Sequence, residues 1–185
     1  MKAAYIVSDH EVARVLIDPM RRAILGFLRE KPMTQSQLAD RLGLSDASLN
    51  YHMKILMKAG LVNIARREVE EHGIMQKFFA PAAYMFVYDL DALPKDVSRY
   101  FYPLSLERAR AALALMGKKE SAMVRDSKSM NEFAASLSRM LVIVARQYAK
   151  KEVAYDSENV AFEIYSKAIS MWLAHSLRAP VAKQR

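Results

Sequence analysis

The sequence predicts a mainly α-helical fold with one small β-hairpin, and two observations support this. Apolar residues recur at helical spacing in several segments before residue 60 and again from residue 103 onward. Between residues 62 and 79 the apolar period falls to two, which is typical of strands with one buried face. A helical region therefore lies on each side of a short hairpin.

The composition indicates a folded protein without thiol chemistry. The chain has 185 residues, 52% of them hydrophobic, which suits one domain or two small ones and not a large multidomain enzyme. The absence of cysteine removes disulfides, thiolate metal sites and cysteine nucleophiles. The apolar start Ala3–Val7 is too short for a secretion signal, and the uncharged run Phe78–Tyr88 is well below the ~20 residues of a membrane span. We therefore expect a cytoplasmic protein with no membrane partner.

Capping signals divide the first sixty residues into helices. Asp9, Asp18 and Ser45 each precede a segment with helical apolar spacing, and these residue types are good N-caps. Thr34 and Gln37 form a capping box that opens a further short helix. Stop signals fall at Pro32, Gly43 and Gly60, and the apolar members of the helices are Val12, Val15, Leu16, Met20, Ile24, Phe27, Leu28, Leu38, Ala39, Leu42, Leu49, Met53, Ile55 and Leu56.

The change of period after Gly60 predicts a hairpin. Val62, Ile64 and Val69 alternate with polar residues on the outgoing strand. Turn chemistry follows at Glu71–Gly73, and Ile74–Phe79 is the predicted returning strand, which Pro81 ends.

The remaining chain is predicted to be helical after one further β-prone run. Tyr84–Tyr88 either adds a third strand or packs beneath the hairpin, and Asp89–Asp96 is a predicted loop. Helices are predicted at residues 103–117, 130–152 and 157–178. The last helix carries two apolar stripes, which must both be covered, either in the middle of a bundle or at a subunit interface: Val160/Ile164/Met171 and Phe162/Tyr165/Ile169/Trp172.

Helices joined by a tight turn and followed by a hairpin make up a winged helix-turn-helix. The net charge of +8 is spread over the chain, but residues 41–67 hold five basic residues and one acidic residue. In the helix that begins after Ser45, the apolar face would pack inward and leave a polar face for a DNA groove, since Asn can pair with adenine and Lys neutralises phosphate. The candidate DNA-binding residues are Thr34, Gln35, Ser45, Ala47, Ser48, Asn50, Tyr51, Lys54, Lys58, Arg66 and Arg67.

Five segments carry a family resemblance: Asp18–Arg22, Gln37–Gly43, Leu49–Leu56, Lys58–Val62 and Phe78–Ala83. They resemble the DNA-binding domain of ArsR-type transcription regulators, above all archaeal members in which a winged domain precedes a separate helical region. The resemblance covers about residues 8–90. It implies a homodimer that binds a pseudo-palindromic operator in double-stranded DNA, usually as a repressor, through the helix that Ser45 opens. We accordingly expect a winged helix-turn-helix domain at 1–90 and a helical dimerisation region at 91–185.

The sequence departs from the sensing members of that family. It lacks the cysteines of the metal sensors and of the thiol sensors, so neither activity is carried over. A small-molecule effector is compatible with the helical region, but no residue pattern supports one.

Several residues have both a chemical and a purely structural interpretation. His52 on the presumed recognition helix is expected to pack or to contact phosphate, and the histidines have no ligand spacing, so we expect no metal and no cofactor. Glu68, Glu70 and Glu71 are expected to form a solvated strand edge. Tyr100–Tyr102 is expected to seat the following helix, with a ligand pocket or stacking on bases as the alternatives.

Three other function classes fit the sequence less well. An enzyme is not expected, because no nucleophile elbow, phosphate loop or zinc-protease pair occurs in the sequence. A protein-interaction module would dock its partner on the outer face of the same helix, but that face is hydrophilic and basic, whereas a protein hot spot is larger and more apolar. RNA binding is a lesser variant, because there is no aromatic sheet platform.

Overall fold

The computed structural model describes residues 1–69, 73, 75–116 and 126–178. Within these residues the protein is mostly helical, with two small two-stranded sheets. The elements, in chain order, are β1 (Lys2–Val7), α1 (His10–Ile17), α2 (Pro19–Glu30), α3 (Gln35–Leu42), α4 (Asp46–Lys58), β2 (Val62–Val69), β3 (Met75–Pro81), β4 (Ala83–Tyr88), α5 (Lys95–Ser98), α6 (Tyr102–Leu115), α7 (Ser127–Tyr148) and α8 (Glu158–Arg178).

The junction of α1 and α2 is built around Asp18, the predicted cap of α2. Asp18 ends α1 and caps α2, where its carboxylate accepts hydrogen bonds from the Met20 and Arg21 amides. The arginine side chains turn back to the free carbonyls at the end of α1. Arg21 donates to Val15, and Arg22 donates to two carbonyls further on, those of Leu16 and Ile17. Two helices are thus held at a fixed angle by groups that would otherwise be unsatisfied.

The connection between α3 and α4 follows the predicted signals. Thr34 and Gln37 form the capping box in both directions. Gly43 ends α3 in the left-handed conformation, with φ of 63°, and the Leu44 amide reaches back to the Ala39 carbonyl. Ser45 caps α4. The helix-turn-helix is therefore determined by local sequence.

The hairpin of β2 and β3 is antiparallel and contains a bulge. Ile64 pairs with Phe79 and Arg66 with Phe78, so Ala65 is the extra residue. Strand β3 is fixed to the helices because Met33, just before α3, exchanges backbone hydrogen bonds with Phe79. Of the predicted turn, Gly73 is described, with φ of 77°, while residues 70–72 lie outside the described residues.

The run Tyr84–Tyr88 forms a strand, but not in the hairpin. As β4 it pairs in parallel with β1, whose apolar residues Ala3–Val7 carry no strand prediction. The predicted third hairpin strand is therefore wrong, whereas Phe86 and Tyr88 lie in the same core as Val62 and Phe79 of the hairpin. The chain after α7 extends this sheet, because Lys2 pairs with Glu152 and the Ala3 amide donates to the Lys151 carbonyl.

This small sheet separates two apolar cores. The first is formed by α1–α5, the hairpin and Phe101, and the second by α6–α8. Alternate side chains of the sheet enter each core. Tyr5, Val7, Phe86 and Tyr88 pack on the first core, and Ala4, Ile6, Met85 and Val87 pack on the second.

The C-terminal helices keep the predicted type with altered bounds. Helix α7 covers 127–148, so it begins and ends earlier than the predicted 130–152, and Gly117, the predicted end of α6, lies outside the described residues. The described helices do not cover both apolar stripes of α8, so the predicted position in the middle of a bundle is wrong, while the alternative of a subunit interface stays a prediction. One face is buried, and it takes residues from both stripes: Val160, Ile164, Ala168 and Trp172. Phe162 is 75% exposed and Met171 is 37% exposed, because the neighbouring helices cover a single face.

Within the described part of the chain, no helix is long and apolar enough to cross a membrane.

The first prediction concerns the sheet between the cores. Ala4 has no exposed surface and faces the C-terminal core, so Ala4→Asp should lower the free energy of unfolding by about 3–5 kcal/mol, because it leaves an unpaired charge in an apolar environment. Urea denaturation measures this. Ala111→Asp, at an exposed position of α6, is the control and should cost about 1 kcal/mol or less. Equal losses in the two variants would contradict the position of β1.

Candidate nucleic-acid interface

Helix α4 has one buried face and one polar face. Leu49, Met53 and Leu56 are fully buried and pack against the first core. The opposite face carries predicted site residues at helical spacing, and all of them are exposed: Ala47, Asn50, Tyr51, Lys54 and Lys58. Tyr51 is 61% exposed, which is unusual for so large a ring. The structure therefore brings these five residues together on one free surface, with half-buried Ser48 beside it.

The N-termini of α3 and α4 are partly occupied by the protein's own side chains. The Ser45 hydroxyl accepts a hydrogen bond from the Ser48 amide, and the Asp46 carboxylate lies in the first turn of α4. Thr34 is 8% exposed, and its hydroxyl accepts from the Gln37 amide. Thr34 thus has a structural role in opening α3. Gln35, next to it, is half-buried.

His52 ties α4 to the start of α2. Its side chain is 15% exposed, and its Nδ1 lies 3.6 Å from Asp18 Oδ2. Arg21 Nε lies at the same distance from that oxygen, and neither nitrogen has a hydrogen-bond partner. His52 therefore packs beneath the polar face of α4, in line with the packing role expected for it. No cluster of His, Cys, Asp or Glu that could hold a metal occurs among the described residues.

On the hairpin, Arg66 is engaged by its own strand pair. Its guanidinium lies 4.2 Å from the centre of the Phe78 ring, and its Nε lies 2.7 Å from a carboxylate oxygen of Glu68. The Arg66 and Glu68 side chains are about half exposed, whereas Phe78 is buried. Such a surface ion pair contributes ~0–1 kcal/mol, so a phosphate could replace Glu68 at little cost.

Arg67 lies directly opposite Lys77, which is not among the predicted DNA-binding residues. Both side chains are exposed, and the register pairs them across the hairpin. Like charges in such a pair destabilise a sheet. The predicted turn, centred on residue 72, would have placed residues 67 and 77 opposite each other, so the signal was present in the sequence.

The basic residues of this region differ in how they are compensated. Arg41 pairs with Glu30 at 3.3 Å. Among the described residues, Lys54, Lys58 and Arg67 have no acidic partner, and all three are exposed. The surface of α4 and the hairpin therefore carries an excess of positive charge, with the exposed apolar residues Val69 and Met75 near the hairpin turn. Strand β2 packs against α4, so the two elements are neighbours.

Comparison with known proteins agrees with this geometry. Residues 16–65, from the last turn of α1 to the first half of β2, match the model of a helix-turn-helix domain. This segment is a helix-turn-helix domain. Over 58 residues, 31% of this chain, the sequence is 31% identical to the transcriptional repressor SdpR of Bacillus subtilis (strain 168). The matched segment covers 64% of SdpR. The resemblance to ArsR-type regulators is confirmed for this part of the chain.

The second prediction tests the like-charge pair on the hairpin. Lys77→Glu should raise the free energy of unfolding by about 0.2–1 kcal/mol, because an attractive pair with Arg67 replaces a repulsive one. The urea midpoint reports the change. Lys150→Glu, at an exposed position just after α7, controls for the altered net charge and should not give the same gain. A loss of stability in Lys77→Glu would argue against the register.

Proposed function

We propose that the protein is a homodimeric, cytoplasmic transcription regulator that binds a pseudo-palindromic operator in double-stranded DNA as a repressor. Helix α4 lies in the major groove as the recognition helix, and the hairpin acts as a wing on the adjacent backbone. In this proposal residues 1–90 bind DNA and residues 91–185 dimerise. No catalytic role is assigned to any residue.

The observation that carries the proposal is the free polar face of α4. Its exposed side chains combine one amide and one phenol, which can read base edges, with two lysines, which neutralise phosphates. The protein's own C-terminal helices pack on the other side of β1 and β4, so they do not cover this face. The similarity to a helix-turn-helix domain and to a repressor supports the same role.

The wing residues support a backbone contact. Arg67 and Lys77 repel each other in the free protein, and a phosphate between them would relieve that repulsion. A substitution that removes the charge of Arg67 or of Lys77 should therefore weaken binding to every DNA sequence. It should also reduce the dependence of affinity on salt.

The dimer proposal draws on apolar side chains left exposed by the C-terminal helices. They are Leu115, Ile143, Phe162 and Met171, of which Leu115 is 86% exposed. Because large exposed apolar side chains mark interaction sites in soluble proteins, Phe162, which is 75% exposed, is proposed as the centre of the contact. The first helix, α1, is proposed as a further contact of the dimer.

The third prediction separates base readout from phosphate contact. The operator is first obtained by selection from a genomic DNA library with the purified protein. Asn50→Ala and Tyr51→Ala should then reduce discrimination between operator and random DNA by about 1–3 kcal/mol, whereas Arg67→Ala and Lys77→Gln should weaken both by a similar factor. Binding is measured by fluorescence anisotropy at several salt concentrations.

The control for this experiment is Lys150→Gln, an exposed lysine outside the proposed surface, which should change neither quantity. No enriched motif in the selection, together with binding that is independent of salt, would rule out the proposed function. Equal effects of all four variants on operator and random DNA would contradict the assignment of roles.

The fourth prediction concerns assembly. Light scattering should give a solution mass of about twice the 21.0 kDa of the chain. Phe162→Asp should shift the protein toward the monomer, because it places a charge in the proposed apolar contact. Val69→Asp, at an exposed apolar position of β2 outside the proposed contact, is the control and should leave the dimer intact. A monomeric parent protein would overturn the dimer proposal.

A further inference from the structure

A cavity of about 420 Å³ lies between α6, α7 and the loop that follows β4. This volume falls in the range of ~300–1,000 Å³ that is typical of ligand sites. Its apolar wall is formed by Leu90, Leu106, Ala134, Ala135 and Val142. None of the residues that line this cavity is a candidate DNA-binding residue.

The charged groups around the cavity are balanced. Of its two carboxylates, Asp89 accepts a hydrogen bond from Arg146 at 3.1 Å, and Asp91 lies 3.7 Å from the Arg139 guanidinium. Each negative charge therefore has one positive partner. A charged ligand would lose its hydration without gaining an unpaired counter-charge, so the lining favours an uncharged molecule.

The two serine hydroxyls of the cavity favour one kind of ligand group, and the lining also contains the exposed Tyr102 and Asn131 side chains, which can both donate and accept hydrogen bonds. The Ser138 hydroxyl donates to the Ser105 hydroxyl at 3.2 Å, and Ser105 in turn donates to the Phe101 carbonyl. Both hydroxyl hydrogens are thus used inside the protein. The lone pairs that remain can accept a hydrogen bond, so they match a hydroxyl or N–H group on the ligand.

The cavity also lies at the boundary between the two cores. Leu90 packs against the first core and Val142 belongs to the second. The Asp89 amide donates to the Val7 carbonyl, so the loop beside the cavity is bonded to the end of β1. A ligand here contacts elements of both regions and can favour one relative arrangement of them over another.

We propose that this cavity binds an uncharged, mainly apolar small molecule with a hydroxyl or N–H donor, and that its occupancy changes DNA affinity. The second half rests on the proposed function. The binding half does not, because it is measured without DNA.

The experiment uses N-phenylnaphthylamine, an uncharged aromatic amine, as the probe of the full-length protein. Its fluorescence should rise saturably on binding. Ala135→Trp, which fills the cavity, should weaken binding at least about tenfold, whereas Ala111→Trp, at an exposed position of α6 outside the cavity, should leave it unchanged. Equal affinities of the two variants, or no saturable binding by the parent protein, would overturn the site.

A second variant tests the charge argument without altering the apolar wall. Asp91→Asn leaves Arg139 without its carboxylate, so the anionic probe anilinonaphthalene sulfonate should gain affinity relative to the uncharged probe. The Asp91 side chain is 64% exposed, so this change should not prevent folding. An unchanged ratio of the two affinities would contradict the inferred selectivity.

The regulatory half is tested with the selected operator. Saturating probe should change operator affinity about fivefold or more in the parent protein and not in Ala135→Trp. An unchanged affinity would overturn regulation through this cavity. A protein that binds the probe but selects no operator would overturn the proposed function alone.

Discussion

The fold depends on a sheet of two parallel strands that is buried on both faces. A two-stranded sheet is marginal by itself in water, and parallel strands are found almost entirely where both faces are covered. Here β1 and β4 are covered by the helix-turn-helix core on one face and by the α6–α8 core on the other. Each core therefore stabilises a surface that the other needs, and the two helical regions are joined by more than a linker.

That arrangement leaves α4 free. The helix is held from beneath by three buried apolar residues and by His52, which faces Asp18 at the junction of α1 and α2. Asp18 also caps α2. One carboxylate therefore fixes the start of α2 and lies 3.6 Å from His52 of α4. The exposed residues of the opposite face belong to neither core, so their surface is available for recognition: Ala47, Asn50, Tyr51, Lys54 and Lys58.

The hairpin shows a conflict between stability and function that supports an anionic partner. Two basic residues face each other across β2 and β3, where neutral or opposite charges would be more stable. Arg66, by contrast, is held by an aromatic ring and a carboxylate. Arg66 is thus held in place, whereas Arg67 has no acidic partner among the described residues. Two such side chains suit two different contacts on one nucleic-acid backbone. The cavity beside β4 lies where the first core meets the second. A ligand there contacts the same core that carries the hairpin.

Local sequence determined the helix-turn-helix, because its caps, its left-handed glycine and its apolar spacing involve residues only a few positions apart. Asp18, Thr34, Gly43 and Ser45 fulfil the roles that their residue types predict. The same locality predicted the exposed face of α4, and it could have identified Lys77 through the hairpin register.

Tertiary structure alone decided the rest. Parallel pairing of residues 2–7 with 83–88 joins segments that have no local relation, and a short apolar run has the same appearance whether it pairs with a neighbour or a distant strand. The side of α8 that became buried was set by α7, since Phe162 is as apolar as the residues that were covered. Thr34 is buried because the chain before α3 pairs with β3. The cavity likewise depends on how three distant segments meet, which no periodicity in the sequence encodes.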